Sequence, residues 1–342
     1  TTTAVDIMWH FAENIWYTES GIYPIICDNA SAIPEIKVQN PDNPGDDPEK
    51  PDDGKTDVID KNDTKNIIQY MTEKPDGAFA LDGDQDLKGA TYSSIPEFTG
   101  FLTSKGEGTK YTISNFTIST NNENAGLFGI LNGTITNVIF KNVTVNVTGA
   151  TNAGALAGIL GLKSRIYNVD LVNVKVSGES KFMGAFAGLA EATTLGKINV
   201  TNGELTNTSL QNGSATGGVI GYNNAMLGYR GVNNTPCGVD AINTSVSAYS
   251  NVGGIVGVNN GLISYANATM TEQSISVTAM GSANSTTVNA GGIAGFNQGT
   301  ITYSNSNAMS VFASRTSMAT SNGRVVCAGG VVGQNGSSAV VL

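Results

Sequence analysis

Few residues in this chain of 342 could perform acid–base or metal chemistry, and their spacing excludes more than it supports. His10 is the sole histidine, so neither a His-Glu-x-x-His zinc motif nor a nucleophile–base pair built on histidine can be assembled. Asp82, Asp84 and Asp86 alternate like the start of a calcium loop. Leu87 and Ser93, however, occupy the sixth and twelfth positions, where an EF-hand needs Gly and Glu, and a structural turn is the better reading. The charges of the glycine-rich part, among them Asp170, Lys175, Lys197 and Glu204, are scattered, which fits a solvated face. The cysteines, Cys27, Cys237 and Cys327, have no metal-type spacing. Cys327 reads as a small buried thiol, and a Cys27–Cys237 bridge stays open. The expectation is therefore no catalytic residue, no metal, no cofactor and no enzyme. Loop residues that could bind a ligand are Tyr222, Tyr229, Arg230, Asn233 and Asn234 in one long insert, and Arg315 and Arg324 in another. Aromatic rings beside Arg and Asn can stack on and hydrogen-bond sugars or protein loops.

The elements that would position these residues follow from a repeat. Ala290-Gly291-Gly292-Ile293-Ala294-Gly295-Phe296-Asn297 has six relatives, whose final glycines are Gly129, Gly158, Gly188, Gly221, Gly257 and Gly333. Periods in this range point to a stacked array. Within each period the Gly signature is followed by an Asn turn and an alternating strand. Val143-Thr144-Val145-Asn146-Val147 and Val172-Asn173-Val174-Lys175-Val176 are the clearest, offset like their Gly signatures. Alternation at period two places valines on one face and polar residues on the other. The pattern predicts an all-β parallel β-helix, a solenoid of about nine coils with a length of roughly 45 Å. The asparagines that follow the last four signatures, Asn223, Asn259, Asn297 and Asn335, are expected to form a stacked turn ladder. A propeller is the competing topology, but periods near 30 residues are short for its blades.

Three segments follow. Residues 1–38 are aromatic-rich, with strand signals at Asn14-Ile15-Trp16-Tyr17 and Ile22-Tyr23-Pro24-Ile25-Ile26. Residues 39–57 are an acidic, Pro-rich linker, extended over about 50–60 Å. Residues 58–342 are the β-helix, opened by a short amphipathic helix within Asp60–Glu73, with Asp60, Asn62 and Asp63 as candidate caps. The formal net charge of -10 and the lack of a basic patch argue against nucleic acid. No apolar run is long enough to insert in a membrane.

The signatures Gly253-Gly254-Ile255-Val256-Gly257-Val258-Asn259 and Gly291-Gly292-Ile293-Ala294-Gly295-Phe296-Asn297-Gln298-Gly299 resemble the GLUG-motif repeats of bacterial surface proteins. Leu81–Gly89 and Gly106–Ile113 resemble that family's opening strand and first full rung. The resemblance spans about residues 60–342. It implies a right-handed parallel β-helix at the cell surface or outside a bacterium, of the kind that serves as an adhesin-like stalk or as an accessory domain of large secreted proteins, immunoglobulin-A-cleaving metallopeptidases included. It carries no catalytic residue onto this sequence. The leading expectation is a non-enzymatic adhesin, stalk or binding module for a host glycan or protein. The alternatives are a carbohydrate-active β-helix enzyme, lyase or hydrolase, and a self-assembling surface subunit. The family's Trp-containing and Tyr-Pro ending resembles residues 14–26, which lie here at the start of the chain. That placement leaves three accounts open: the tail of another module, a cap on the chain's own far end, or self-association through residues 1–38.

Overall fold

The computed structural model describes residues 56–342 apart from 61, 107, 192, 232–234, 273–274, 282–286, 308–309 and 316–324, together with the short strands Trp16–Tyr17 and Ile25–Ile26. These two strands pair antiparallel, Trp16 opposite Ile26. They belong to a separate compact unit, Thr1–Pro48, and Glu49–Leu342 forms the second. The proposed linker lies almost wholly outside the described residues.

The second unit is almost entirely β-strand, and its long sheets are parallel. One sheet of eight strands runs Ile95–Phe98, Phe128–Leu131, Ala157–Leu160, Ala187–Ala190, Ile220–Asn223, Val256–Asn259, Ala294–Asn297 and Val332–Asn335. From the second strand on, each carries the end of one Gly signature and pairs with the next signature. Phe128 lies opposite Ala157, Ala157 opposite Ala187, Ala187 opposite Ile220, Ile220 opposite Val256, Val256 opposite Ala294 and Ala294 opposite Val332. The register in this sheet therefore follows the sequence spacing of the repeat at every step.

The remaining strands stack in the same sense. Thr134–Gly154 pairs in parallel with Arg165–Val172 and then with Lys175–Gly184, and later coils repeat this with Thr194–Thr201, Val239–Ile242 and Ala266–Thr269. Inward positions form continuous columns. Ile135, Ile166, Leu195, Leu227, Ile263 and Ile301 lie one above another, and all are buried. Phe98 and Phe128 stack with ring centroids 4.9 Å apart. Burial of such columns is the main favourable term in folding, and the parallel ladders satisfy the backbone groups of each coil.

Two details depart from the sequence reading. Val145 pairs with Val176 and Thr144 with Lys175, so Val143 does not stack on Val172: the register is shifted by two residues. A two-residue shift preserves which face each side chain occupies, so the valine pattern alone cannot reveal it. A bulge between Val147 and Ala150 lies between this stretch and the next Gly signature. In addition, Ala125 pairs with Ala153 rather than Gly154. The first signature is one residue shorter at its corner, and Gly126 is the counterpart of Gly154.

The glycines divide into two roles. A Cβ on the leading glycine would meet the carbonyl three residues later in its own corner: 1.9 Å to Val256 O from Gly253, and 1.9 Å to Ala294 O from Gly291. A Cβ on the trailing glycine would meet the opposite wall, 2.4 Å from Thr216 N at Gly257 and 2.5 Å from Val252 N at Gly295. The leading glycine is thus enclosed both by its own corner and by the next coil, where Ile293 O would lie 2.8 Å from a Cβ on Gly253, and the trailing one by the opposite wall.

Asparagines tie the coils together. Asn223 Nδ2 donates to Asn259 Oδ1 at 2.8 Å, Asn259 Nδ2 to Asn297 Oδ1 at 2.8 Å, and Asn297 Nδ2 to Asn335 Oδ1 at 2.9 Å. This is the turn ladder expected from the sequence. A second ladder runs on the surface through Asn115, Asn142, Asn173 and Asn202, all at positive φ, a conformation that asparagine tolerates better than most residues.

The helix is shorter than predicted, Ile67–Glu73, and Asn66 caps it in place of Asp60, Asn62 or Asp63. Asn66 Oδ1 accepts from Gln69 N, and Gln69 Oε1 accepts from Asn66 N, forming a reciprocal capping box. Asp60 and Asp63 close a preceding turn instead. Ile67, Ile68 and Met71 are buried in the core. Asn66 Nδ2 also donates to the Tyr92 hydroxyl at 2.9 Å. Asn66→Ala is expected to cost about 1–2 kcal/mol, measured as a shift in the chemical denaturation midpoint.

Candidate functional site

The acidic residues near the helix do not form a cation cage. Asp82 pairs with Lys105 at 2.6 Å, Asp84 Oδ1 accepts from Thr112 N at 2.8 Å, and Asp86 Oδ1 accepts from Lys88 N and Asn115 Nδ2 at 2.9 Å each. The Asn115 amide, followed by the Lys88 backbone, holds the Asp86 carboxyl below its ordinary pKa. Asp84 and Asp86 face a shallow recess of 330 Å³ beside the helix cap. Among the described residues no group of three or more His, Cys, Asp or Glu could hold a metal ion.

The scattered charges form ion pairs between coils. Lys175 bonds Glu204 at 2.8 Å, both exposed. Asp170 is instead bound by Lys110 at 2.7 Å and by Asn199 Nδ2 at 2.7 Å. Exposed pairs such as Lys175–Glu204 contribute little to stability.

The proposed ligand-binding residues separate. Tyr222 lies in the eight-stranded wall, half-buried, its ring 4.9 Å from that of Phe182. Arg315 ends the strand Ser310–Arg315, opposite Gly281, and is half-buried. Asn233, Asn234 and Arg324 lie outside the described residues, as does Cys27, and with it the proposed Cys27–Cys237 bridge. Cys237 is buried, and Cys327, expected to be buried, is half-buried.

Tyr229 and Arg230 are held by a small hairpin. Tyr229–Arg230 pairs antiparallel with Pro236–Cys237, and this insert leaves the coil after Gly228 and rejoins it at Gly238. Tyr229 is buried, its ring occupying the space that a Cβ on Gly196 would enter. Arg230 is exposed, and its Nε donates to the Tyr265 hydroxyl. Its guanidinium lies 5.4 Å from the Tyr265 ring and 5.8 Å from the Tyr303 ring. The two rings stack with centroids 5.1 Å apart and planes 3° from parallel.

Tyr265 and Tyr303 are absent from the sequence-derived candidates, although the sequence carries a signal for them. They are 38 residues apart, the same interval as Gly257 and Gly295, and so occupy the same corner of successive coils. Earlier coils place Asn137, Asn168 and Lys197 at this corner, all at positive φ. Lys197 packs over the Tyr167 ring there, 4.9 Å from its centroid. One edge of the body thus carries Lys197 with Tyr167, then Arg230 with Tyr265 and Tyr303.

Residues 60–178 match the family model for the N-terminal region of M26 IgA1-specific metallo-endopeptidases. No curated protein matches. Among solved structures, the chain is similar to the crystal structure of a putative immunoglobulin A1 protease from Bacteroides ovatus, with 18% identity over 82% of this chain and 84% of that one and a TM-score of 0.47. The family match overturns two expectations from the sequence. The surface-binding reading, an adhesin or stalk, gives way to a peptidase-related one, and so does the expectation that the chain is no enzyme. The physical reason is that the glycine signatures report how coils pack, and packing is common to bodies with different tasks.

Proposed function

We propose that this chain is a region of a metallo-endopeptidase directed at immunoglobulin A1, and that its body engages the substrate for a catalytic centre supplied by residues outside this sequence. The match of residues 60–178 to the N-terminal region of such peptidases carries this reading. A metallo-endopeptidase requires a bound metal with His or carboxylate ligands. With one histidine in the sequence and no suitable ligand group among the described residues, the residues do not fit that metal, and no reaction step is assigned to them. Their contribution is a long rigid surface on which a large substrate could be held in register with a distant centre, the kind of orientation that lowers the entropic part of a barrier.

In this proposal the stacked sheets close into a right-handed parallel β-helix of GLUG-type coils, and the protein works at the surface of a bacterium or outside it. The parallel pairing of each coil with the next supports the helix, and the glycine signatures support the repeat type. No described helix is long and apolar enough to cross a membrane.

The test is interferometry with the purified chain against immobilised immunoglobulin A1, with immunoglobulin G as control. Saturable binding to immunoglobulin A1 alone is expected. Equal binding to both, or to neither, would remove the substrate-engaging role.

A further inference from the structure

The strand Gln85–Tyr92 bulges away from its neighbour. Asp86 pairs with Ser114 and Ala90 with Phe116, so Leu87, Lys88 and Gly89 stand against Asn115 alone. Lys88 and Gly89 take the left-handed conformation there, at φ 53 and 77. A bulge of this kind bends a strand and re-aims its side chains. The bulge and the turn that leads into the helix line one recess of 330 Å³, and the Asn66 amide joins the two by donating to the Tyr92 hydroxyl. Both walls are internal to the body, since Asp57–Ile59 pairs with Phe79–Leu81 around them.

One residue of the lining points to a ligand. Gln85 is 6% exposed, it lines the recess, and its buried Nε2 has no hydrogen-bond partner. A buried amide without a partner costs free energy that a satisfied one does not. The carboxylates around it are half used. Asp84 spends Oδ1 on Thr112 N, Asp86 spends Oδ1 on Lys88 N and the Asn115 amide, and Asp63 spends Oδ2 on Asp60 N. Their other oxygens accept nothing from the described residues. Lys65 is held by Glu73 at 2.6 Å. Among the described lining residues, three carboxylates thus stand against one unpaired cation, Lys88.

A ligand matched to this lining brings positive charge for Asp84 and Asp86 and a hydrogen-bonding group for Gln85. A metal ion does not fit, because no three acidic groups converge on one point. Asp84 and Asp86 are two residues apart, about 6–7 Å along an extended chain. A guanidinium spreads its donors over a planar fork and can bridge such a pair, whereas an ammonium is a point charge. A peptide group carries both a donor and an acceptor, so it can pair with a glutamine amide in either orientation. The volume stands at the low end of small-ligand sites, about 300–1,000 Å³, which suits a single residue.

We propose that this recess binds an arginine of an extended peptide, with its guanidinium on Asp84 and Asp86 and its main-chain peptide group on Gln85. The inference goes beyond the peptidase reading and takes nothing from it, so either can fail without the other.

The experiment is an NMR titration of the full chain with acetyl-Gly-Arg-Gly-amide. It reads the Gln85 side-chain amide signal, identified by its loss in Gln85→Met, and the Lys88 backbone amide, which is bonded to Asp86. Saturable shifts of both signals are expected. The matching citrulline peptide, neutral and of nearly the same shape, should bind about tenfold more weakly, as the loss of charge-assisted hydrogen bonds implies. Asp84→Asn/Asp86→Asn keeps the Oδ1 acceptors that hold the bulge and should weaken the arginine peptide by about tenfold. In Gln85→Met the denaturation midpoint should rise, because an unpartnered polar group leaves the core. Arginine-peptide affinity should fall in the same variant, while that of methylguanidine, which has no peptide group, should not. No saturable shift, equal affinity for the arginine and citrulline peptides, or full peptide affinity in Gln85→Met overturns the proposal. Equal affinity for the corresponding lysine peptide overturns the choice of arginine.

Discussion

Gly253→Ala should unfold the repeat body far more readily than any surface substitution, with a loss of about 3 kcal/mol or more. The new Cβ would sit 1.9 Å from Val256 O and 2.8 Å from Ile293 O. Both are backbone atoms, the second in the next coil, so no side-chain rotation relieves the clash. Either the corner opens or the coil above lifts, and both break ladder hydrogen bonds such as Val256 N to Ile293 O at 2.9 Å. Gly330→Ala is the control. A Cβ added at Gly330 would meet nothing within 4 Å, and this substitution should change stability by no more than about 0.5 kcal/mol. Gly292, one signature earlier, would meet Gly330 O at 2.0 Å, so the difference arises from the stacked coil and not from the residue type. Urea denaturation followed by circular dichroism reads both variants. A Gly253→Ala midpoint equal to that of Gly330→Ala would contradict the packing described above.

The second large effect is expected at Asn259, which is fully buried. Its amide donates to Asn297 Oδ1 at 2.8 Å and to Gly261 O at 3.2 Å, and its carbonyl oxygen accepts from Asn223. Asn259→Ala removes these three bonds, and a fourth from its amide to Thr300 O at 3.4 Å, in a place water does not reach. A buried polar group left without its partner costs about 1–3 kcal/mol. Here Asn297 Oδ1 loses its donor and Asn223 Nδ2 loses an acceptor. A total of about 3 kcal/mol is expected, again from the denaturation midpoint. A loss below about 1 kcal/mol would mean that the ladder is replaceable.

Much of this architecture is legible in the sequence because stacking imposes identity at fixed intervals. Gly129, Gly158, Gly188, Gly221, Gly257, Gly295 and Gly333 report the coil spacing, and Asn223, Asn259, Asn297 and Asn335 report a ladder that forms as expected. What escapes is whatever leaves that pattern unchanged. The two-residue shift that sets Val145 against Val176 keeps Val143, Val145, Val147, Val174 and Val176 buried, while Val172 stands opposite Lys141 at the end of the preceding strand, and the shortened corner at Gly126 retains two small residues. The true helix cap, Asn66, lies beyond the acidic residues that precede it. Tyr265 and Tyr303 escape for the opposite reason: their spacing matches the glycines, but their residue type breaks with the asparagines below them. Nearness along the chain groups Tyr222 with Arg230, yet Tyr222 packs on Phe182 while the hairpin between Gly228 and Gly238 carries Arg230 to Tyr265 and Tyr303.

Function is less legible than fold because the repeat encodes the body alone. A glycine signature needed for coil packing is silent about what the outer wall meets, and the sole histidine excludes a His-Glu-x-x-His motif within the sequence without excluding the proposed relation to a peptidase. The family match over residues 60–178 is what supports that proposal.

The central claim is most directly tested by mixing the purified chain with immunoglobulin A1 and zinc and following both complex formation and the mass of the heavy chain. A saturable complex with an intact heavy chain is the predicted result. Cleavage by this chain alone, or the absence of any complex, would contradict it.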